Sequence, residues 1–212
     1  MERLAGQATF LFIADTSGSM YGEKISAVNA TLAECMNEMR SAGNAGRVRA
    51  GFAAFDERMK VLSAPQDVAG ISVPDYRTEP AADGFYPLTS CAGLYRELYR
   101  WVKDGFAKNP EEKLYLFLIT DGKPSDAGEE RDGLELLKHE AAFREAEKYI
   151  ALIGNQKSAL PDTVLEFVNY RMDRIIQLKD LPGEIAGVKM TLGGGRADAD
   201  DRNAFYESIF GR

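Results

Sequence analysis

The chain predicts a three-layer, doubly wound α/β fold on a mainly parallel six-stranded sheet with one antiparallel edge strand. Three observations carry that expectation. Short apolar runs of strand length alternate with amphipathic stretches of helix length, the pattern of crossover units whose helices cover both faces of a sheet. Two runs, Phe10 to Ala14 and Leu114 to Ile119, are apolar without alternation, as strands buried on both faces must be. The chain has 212 residues, 45% of them hydrophobic and 28% charged, ordinary for a globular domain. That length suits one sizeable core and is short for two.

Ala8 to Ala14 reads as the first strand, closed by the turn-forming Ser17-Gly18-Ser19. Lys24 to Met39 places Ile25, Val28, Leu32, Cys35, Met36 and Met39 at helical spacing, one buried stripe. Gly43-Asn44-Ala45-Gly46 breaks that helix. Val48 to Phe55 is a second strand, and Arg58 to Leu62 a short third, hairpin-paired to it through Asp56-Glu57. Residues 63–88, with Pro65, Pro74, Pro80 and Pro87, read as a long loop with at most a helical turn. Loops of that length in compact domains are functional or mobile. Leu94 to Val102 is a helix, and Lys113 to Thr120 a central parallel strand that stops at Asp121-Gly122. A helix near Gly133 to Glu147 follows, then a strand from Tyr149 to Ile153 and a helix near Pro161 to Asn169. A strand from Arg174 to Leu178 and a helix near Pro182 to Leu192 complete the order. No repeat or interior linker divides it, so residues 1–192 are expected to form one domain. Residues 193–212 read as a flexible acidic tail, Gly193-Gly194-Gly195 followed by Asp198, Asp200 and Asp201, with a docking turn of helix over Ala204 to Phe210.

The formal charge of −7 and a pI near 4.9 argue against nucleic acid or an anionic membrane as the main partner, since both call for basic patches. Cys35 and Cys91 are too few for a disulfide framework, which fits a reducing cytoplasm. The start, Met1 to Gln7, has no signal-peptide apolar core, and no later run approaches a membrane span. The expected location is cytoplasmic.

Function is written at the strand ends. The first strand stops on a carboxylate, Asp15, and then offers Ser17 and Ser19 at alternate positions, an all-oxygen nest. Hard cations such as Mg²⁺, Mn²⁺ or Ca²⁺ prefer such donors. Ligands in open α/β sheets collect at the carboxyl ends of strands, so Asp121 is expected near Asp15. The Asp-x-Ser-x-Ser spacing in this place resembles the metal-ion-dependent adhesion site of von Willebrand factor type A domains. The resemblance runs through about residue 192. It rests on Asp15-Thr16-Ser17-Gly18-Ser19-Met20, on Ile119-Thr120-Asp121-Gly122-Lys123-Pro124-Ser125-Asp126, and on Thr89-Ser90 opening the intervening helix. The Gly122-x-Pro124-Ser125-Asp126 continuation and Ser26-Ala27-Val28-Asn29 look most like bacterial TerY-like proteins of the tellurite-resistance group.

The resemblance implies that Ser17 and Ser19 bind the metal directly, that Thr89 joins as a third hydroxyl, and that Asp15 and Asp121 act mainly through water. It further implies that an Asp or Glu of a protein partner takes the remaining coordination position. Neutral hydroxyls leave the ion with net positive charge, so an external carboxylate still binds it. A role in bacterial stress response or tellurite resistance, alongside kinase and phosphatase partners, belongs to the same resemblance. One departure stands out: the family presents Gly-Gly-Thr where this chain has Pro87-Leu88-Thr89-Ser90. Either the third loop approaches the ion differently, or Ser90 substitutes for Thr89. Met20, Tyr21, Phe85 and Tyr86 are expected to border the site and, with Ser90, to meet the partner; ordinary packing is the alternative for the first four. Ser125 and Asp126 read as caps of the following segment.

Other readings of the same residues stay open. Asp15-x-Ser17-x-Ser19 alone is also a strand-end Asx turn. A scaffold with a vestigial metal site is a second reading, for which Pro87-Leu88 speaks. A haloacid-dehalogenase-like phosphotransferase could use Asp15 as nucleophile, but that chemistry needs a second acid where Ser17 stands. The single histidine, His139, falls on a solvated helix face, so neither a His-based triad nor a zinc centre is expected. No phosphate-cradling glycine motif joins a strand to a helix. The chain is read as a non-enzyme.

Overall fold

A computed structural model describes residues 7–41, 46–106, 112–125, 132–154 and 160–192. Six strands form one sheet in the order β3-β2-β1-β4-β5-β6. They are β1 (Ala8–Asp15), β2 (Val48–Phe55), β3 (Met59–Asp67), β4 (Lys113–Thr120), β5 (Glu147–Leu152) and β6 (Ile175–Gln177). All neighbours run parallel except β3, which pairs antiparallel with β2 at the edge. The helices are α1 (Glu23–Ser41), α2 (Cys91–Trp101), α3 (Asp132–His139), α4 (Ala141–Glu145), α5 (Asp162–Leu165) and α6 (Leu181–Leu192). The expected fold class is the observed one.

The pleat of β1 sorts its side chains into two cores. Phe10, Phe12 and Ala14 face α1 and α6, while Leu11 and Ile13 face α2 and α3. All eight residues of β1 are buried, which is why its apolar run does not alternate. On the α1 side, rings stack across four neighbouring strands. Phe12 lies 5.7 Å from Phe52 and 5.2 Å from Phe117, and Phe117 lies 5.1 Å from Tyr149. Such stacked pairs fix the register of the central strands as well as filling the core. Removing one ring, as in Phe12→Ala, costs about 3–5 kcal/mol by the usual measure of large-to-small core changes.

Besides the start of α2, which falls at Cys91 instead of Leu94, three elements differ from the sequence expectation. β3 runs on past Leu62 to Asp67, passing through Pro65. An edge strand tolerates proline, and the ladder is irregular there, with register shifts between Ala50 and Ala53. The helix expected over 133–147 is two helices, with Glu140 extended between them (ψ 123°). In one unbroken helix Phe143 would point away from Leu134; the break lets both be buried. The stretch near Pro161 to Asn169 is a short α5 that tightens into a 3₁₀ turn over Glu166–Val168 and stops at left-handed Asn169 (φ 52°).

The long connection after β3 opens with a single helical turn, Asp67 O accepting from Gly70 N at 3.0 Å and from Ile71 N at 3.2 Å, and is otherwise irregular. It is also pinned to α1. Asn29 accepts from Tyr76 N at 2.9 Å and donates to Tyr76 O at 2.9 Å, while Arg40 donates to Val68 O at 3.0 Å. Among the described residues no helix is long and apolar enough to cross a membrane. The cap assigned to Asp126 and the tail over 193–212 lie outside the described residues.

Candidate metal centre

Parallel register brings the two acidic strand ends side by side. Ala14 of β1 pairs with Ile119 of β4, so Asp15 and Thr120 are the next residues across the sheet, followed by Asp121. Both carboxylates are buried, Asp15 completely and Asp121 nearly so.

Asp15 holds the first loop in shape. Its Oδ1 accepts from Ser17 N at 2.9 Å, and its Oδ2 accepts from the Thr120 hydroxyl at 2.8 Å. The Thr120 hydroxyl also accepts from Gly122 N at 3.0 Å, which ties the second strand end to the first. Gly122 sits at φ +77°, a left-handed conformation that glycine adopts without strain, so the chain turns sharply after Asp121. Burial pushes the Asp15 carboxyl above the usual carboxylate range. Hydrogen bonds from Ser17 and Thr120 oppose that rise, and the nearby charge of Asp121 adds to it.

Three hydroxyls converge beside these acids. Thr89 Oγ1 donates to Ser17 Oγ at 2.6 Å, and Ser17 Oγ lies 3.2 Å from Ser19 Oγ. The loop that carries Thr89 is fixed by backbone bonds to both neighbours: Gly18 N donates to Pro87 O at 2.9 Å, and Ser125 N donates to Thr89 O at 2.8 Å. Pro87 and Leu88 therefore still deliver Thr89 to the first loop. Ser90 is placed differently. It is the N-cap of α2, its hydroxyl accepting from Gly93 N at 2.9 Å.

The donor set suits a hard cation. Among the described residues no group of three His, Cys, Asp or Glu side chains is placed to hold a metal ion. Two carboxylates and three hydroxyls do converge here. One observation marks the group as unfinished: Asp121 Oδ1 is buried with no hydrogen-bond partner. Buried polar atoms are nearly always satisfied, and an orphan at such a place is what a bound ion or its water would complete.

Of the residues expected to meet a partner, Tyr21, Phe85 and Tyr86 are exposed, at 63%, 75% and 40%, and Met20 is fully buried. The Tyr21 and Tyr86 rings lie 5.2 Å apart and form a rim beside the hydroxyls. A cleft of about 590 Å³ adjoins this rim, with Asp56, Glu57, Asp75, Glu79 and Asp83 on its walls against Lys60 and Arg77. His139 is exposed on α3, as expected.

Two residues were missed by the sequence reading. Thr120 is visible as a partner of Asp15 only once parallel register is assumed. Lys24 donates to Asp121 Oδ2 at 2.7 Å and to Ser19 O at 2.8 Å. Its signal was a lysine in the first turn of a helix, where a positive charge opposes the helix dipole and needs a counter-charge.

No protein-family model matches the chain, and no curated protein matches it in sequence. Solved structures do resemble it. The pilus adhesin SpaC from Lactobacillus rhamnosus GG, in its open conformation, superposes with a TM-score of 0.60 at 11% identity, over 90% of this chain and 30% of the adhesin. This chain thus spans less than a third of that protein's length. The ArnB paralog VWA2 from Sulfolobus acidocaldarius gives a TM-score of 0.52 at 14% identity, over 86% of this chain and 45% of that one. BatB from Bacteroides thetaiotaomicron, a conserved hypothetical protein, gives 0.55 at 11% identity, over 89% of this chain and 100% of that one. At such identities the likeness shows the fold alone, the helix-flanked, mainly parallel six-stranded sheet with one antiparallel edge strand.

Proposed function

We propose that the chain is a non-enzymatic, metal-dependent protein-interaction module. The observation that carries this reading is the orphaned, buried Asp121 Oδ1 beside the converged hydroxyls of Ser17, Ser19 and Thr89. Those hydroxyls would hold Mg²⁺ or Mn²⁺ directly, with Asp15 and Asp121 acting through water. The ion would supply a positive charge to which an Asp or Glu of a protein partner binds. The exposed aromatic rim of Tyr21, Phe85 and Tyr86 surrounds that contact with apolar surface, and the acidic cleft favours a partner with Lys or Arg beside its metal-seeking carboxylate. The TerY-like character of the Gly122-to-Asp126 segment extends the reading to a cytoplasmic role in bacterial stress response or tellurite resistance, with kinase or phosphatase partners.

A metal-free scaffold is the second reading, and one observation favours it: Lys24 already neutralises Asp121. Calorimetric titration with MgCl₂ separates the two. The wild type is expected to bind one ion, and Ser17→Ala/Ser19→Ala to lose that binding or to weaken it by more than about tenfold, or about 1.4 kcal/mol. Equal binding in the double variant refutes the assigned centre. Capture of partners from the native organism with and without EDTA then tests whether the ion carries the interaction.

A further inference from the structure

The Lys24–Asp121 ion pair sits where a structural salt bridge would be poorly placed. Lys24 lies in the first turn of α1, against the positive end of the helix dipole. Its side chain is 37% exposed, whereas that of Asp121 is 2% exposed. The ammonium bonds the two residues that flank the candidate centre from opposite loops, Asp121 through Oδ2 and Ser19 through its carbonyl oxygen. We propose that Lys24 is a tethered competitor of the divalent ion: it neutralises Asp121 in the metal-free protein and holds the ion affinity of the site below what its oxygens alone would give. The inference rests on the metal-centre reading above.

Charge makes the case. A buried carboxylate without a counter-charge is costly, and Asp15 already adds a second negative group nearby. One ammonium offsets half of that charge and keeps the ion-free site folded. When a divalent ion enters, the site would hold three positive charges against two carboxylates, and the ammonium becomes the repelled party. Lys24 can yield, because its four-carbon stem starts from a half-exposed position and its head can move into water. Asp121 meanwhile keeps one oxygen, Oδ1, that the lysine does not satisfy. The carboxylate thus serves the ammonium with one oxygen and stays open to the ion with the other.

The test uses the full chain and MgCl₂ as probe, with wild type, Lys24→Met, Lys24→Gln and Lys24→Arg compared by calorimetry and by melting in EDTA and in Mg²⁺. Removing one unit charge beside a divalent ion is expected to tighten Mg²⁺ binding by about tenfold or more in Lys24→Met and Lys24→Gln, even at water-like screening. Lys24→Arg, which keeps the charge, is expected to stay within about threefold of wild type. The neutral variants should melt lower than wild type in EDTA and gain more on adding Mg²⁺. Binding by a neutral variant where the wild type is silent also supports the proposal. Unchanged or weaker affinity in the neutral variants, with wild type binding normally, overturns the competitor role and leaves the metal centre standing. Absence of Mg²⁺ and Mn²⁺ binding in every folded variant overturns both.

Discussion

A carboxylate shut away from water at the end of a strand costs free energy unless something neutralises it, and Asp15 carries that cost in the metal-free protein. Its folded-state pKa is raised, chiefly by burial, so the folded protein binds this proton more tightly than the unfolded chain does. The penalty is therefore fully present above the folded pKa and vanishes as pH falls to the ordinary carboxylate value. Asp15→Asn keeps an acceptor for Ser17 N without the charge. In EDTA at neutral pH the variant is expected to be the more stable protein, with the gap closing on acidification through the raised pKa. Urea denaturation at a series of pH values measures this; a gap that stays constant or widens as pH falls would show that ionisation of Asp15 is not its cause. Adding Mg²⁺ should reverse the order, because only the wild type gains. At this scale the sequence disclosed Asp15, Ser17 and Ser19, which share one short loop. Thr89, 72 residues from Ser17, was legible only through resemblance. Thr120 and Lys24 depend on register and on where a long side chain ends, which no local pattern encodes.

Between residue and molecule, the third loop is held by the way α2 begins. Ser90 caps the helix, its backbone N–H donates to Asp56 O at 2.9 Å, and Gly93 approaches the β2–β3 hairpin so closely that a Cβ there would stand 1.9 Å from Glu57 O. The clash is with backbone, so it cannot be relieved by rotating a side chain. Gly93→Ala is expected to destabilise by about 2 kcal/mol or more, within or beyond the usual range for overpacking. It should also weaken Mg²⁺ binding, because the displaced helix start carries Thr89. Ser90→Ala removes the cap bond to Gly93 N, a loss of about 1 kcal/mol, with ion affinity nearly kept. Chemical denaturation paired with calorimetry distinguishes the two; equal losses of affinity would mean that Thr89 is not positioned by this contact. The same contact explains why the sequence placed the start of α2 at Leu94, three residues late. Cys91 continues the buried stripe of Leu94, Tyr95 and Leu98, but Gly93 interrupts the helix-forming residues, and it is there for close approach. The strands β1 and β4 were legible because burial on both faces forbids polar alternation. The far half of β3 was not, since an exposed edge strand with Pro65 carries neither an apolar run nor a regular ladder.

For the molecule as a whole, the centre joins parts that meet only through the fold: the ends of β1 and β4, the start of α2 and the first turn of α1. A ligand that binds all of them in the native state and none in the unfolded chain stabilises the whole domain by mass action, about 2.7 kcal/mol at a hundred times its dissociation constant. For a domain of this size that corresponds to a rise in Tm of roughly 5–10 °C. Mg²⁺ at saturating concentration is expected to give that rise in wild type and to leave Ser17→Ala/Ser19→Ala unmoved. The double variant matters because the protein carries a net charge of −7, and any divalent salt screens such a surface. General screening would raise the Tm of both proteins equally, and NaCl at matched ionic strength would reproduce it. A site-bound ion would instead separate the two proteins and would slow amide exchange around residues 87–93 and 120–125 more than along β6, at the far edge of the sheet. Equal shifts in both proteins would assign the effect of Mg²⁺ to the acidic surface and take away the thermodynamic basis for an ion-gated interface.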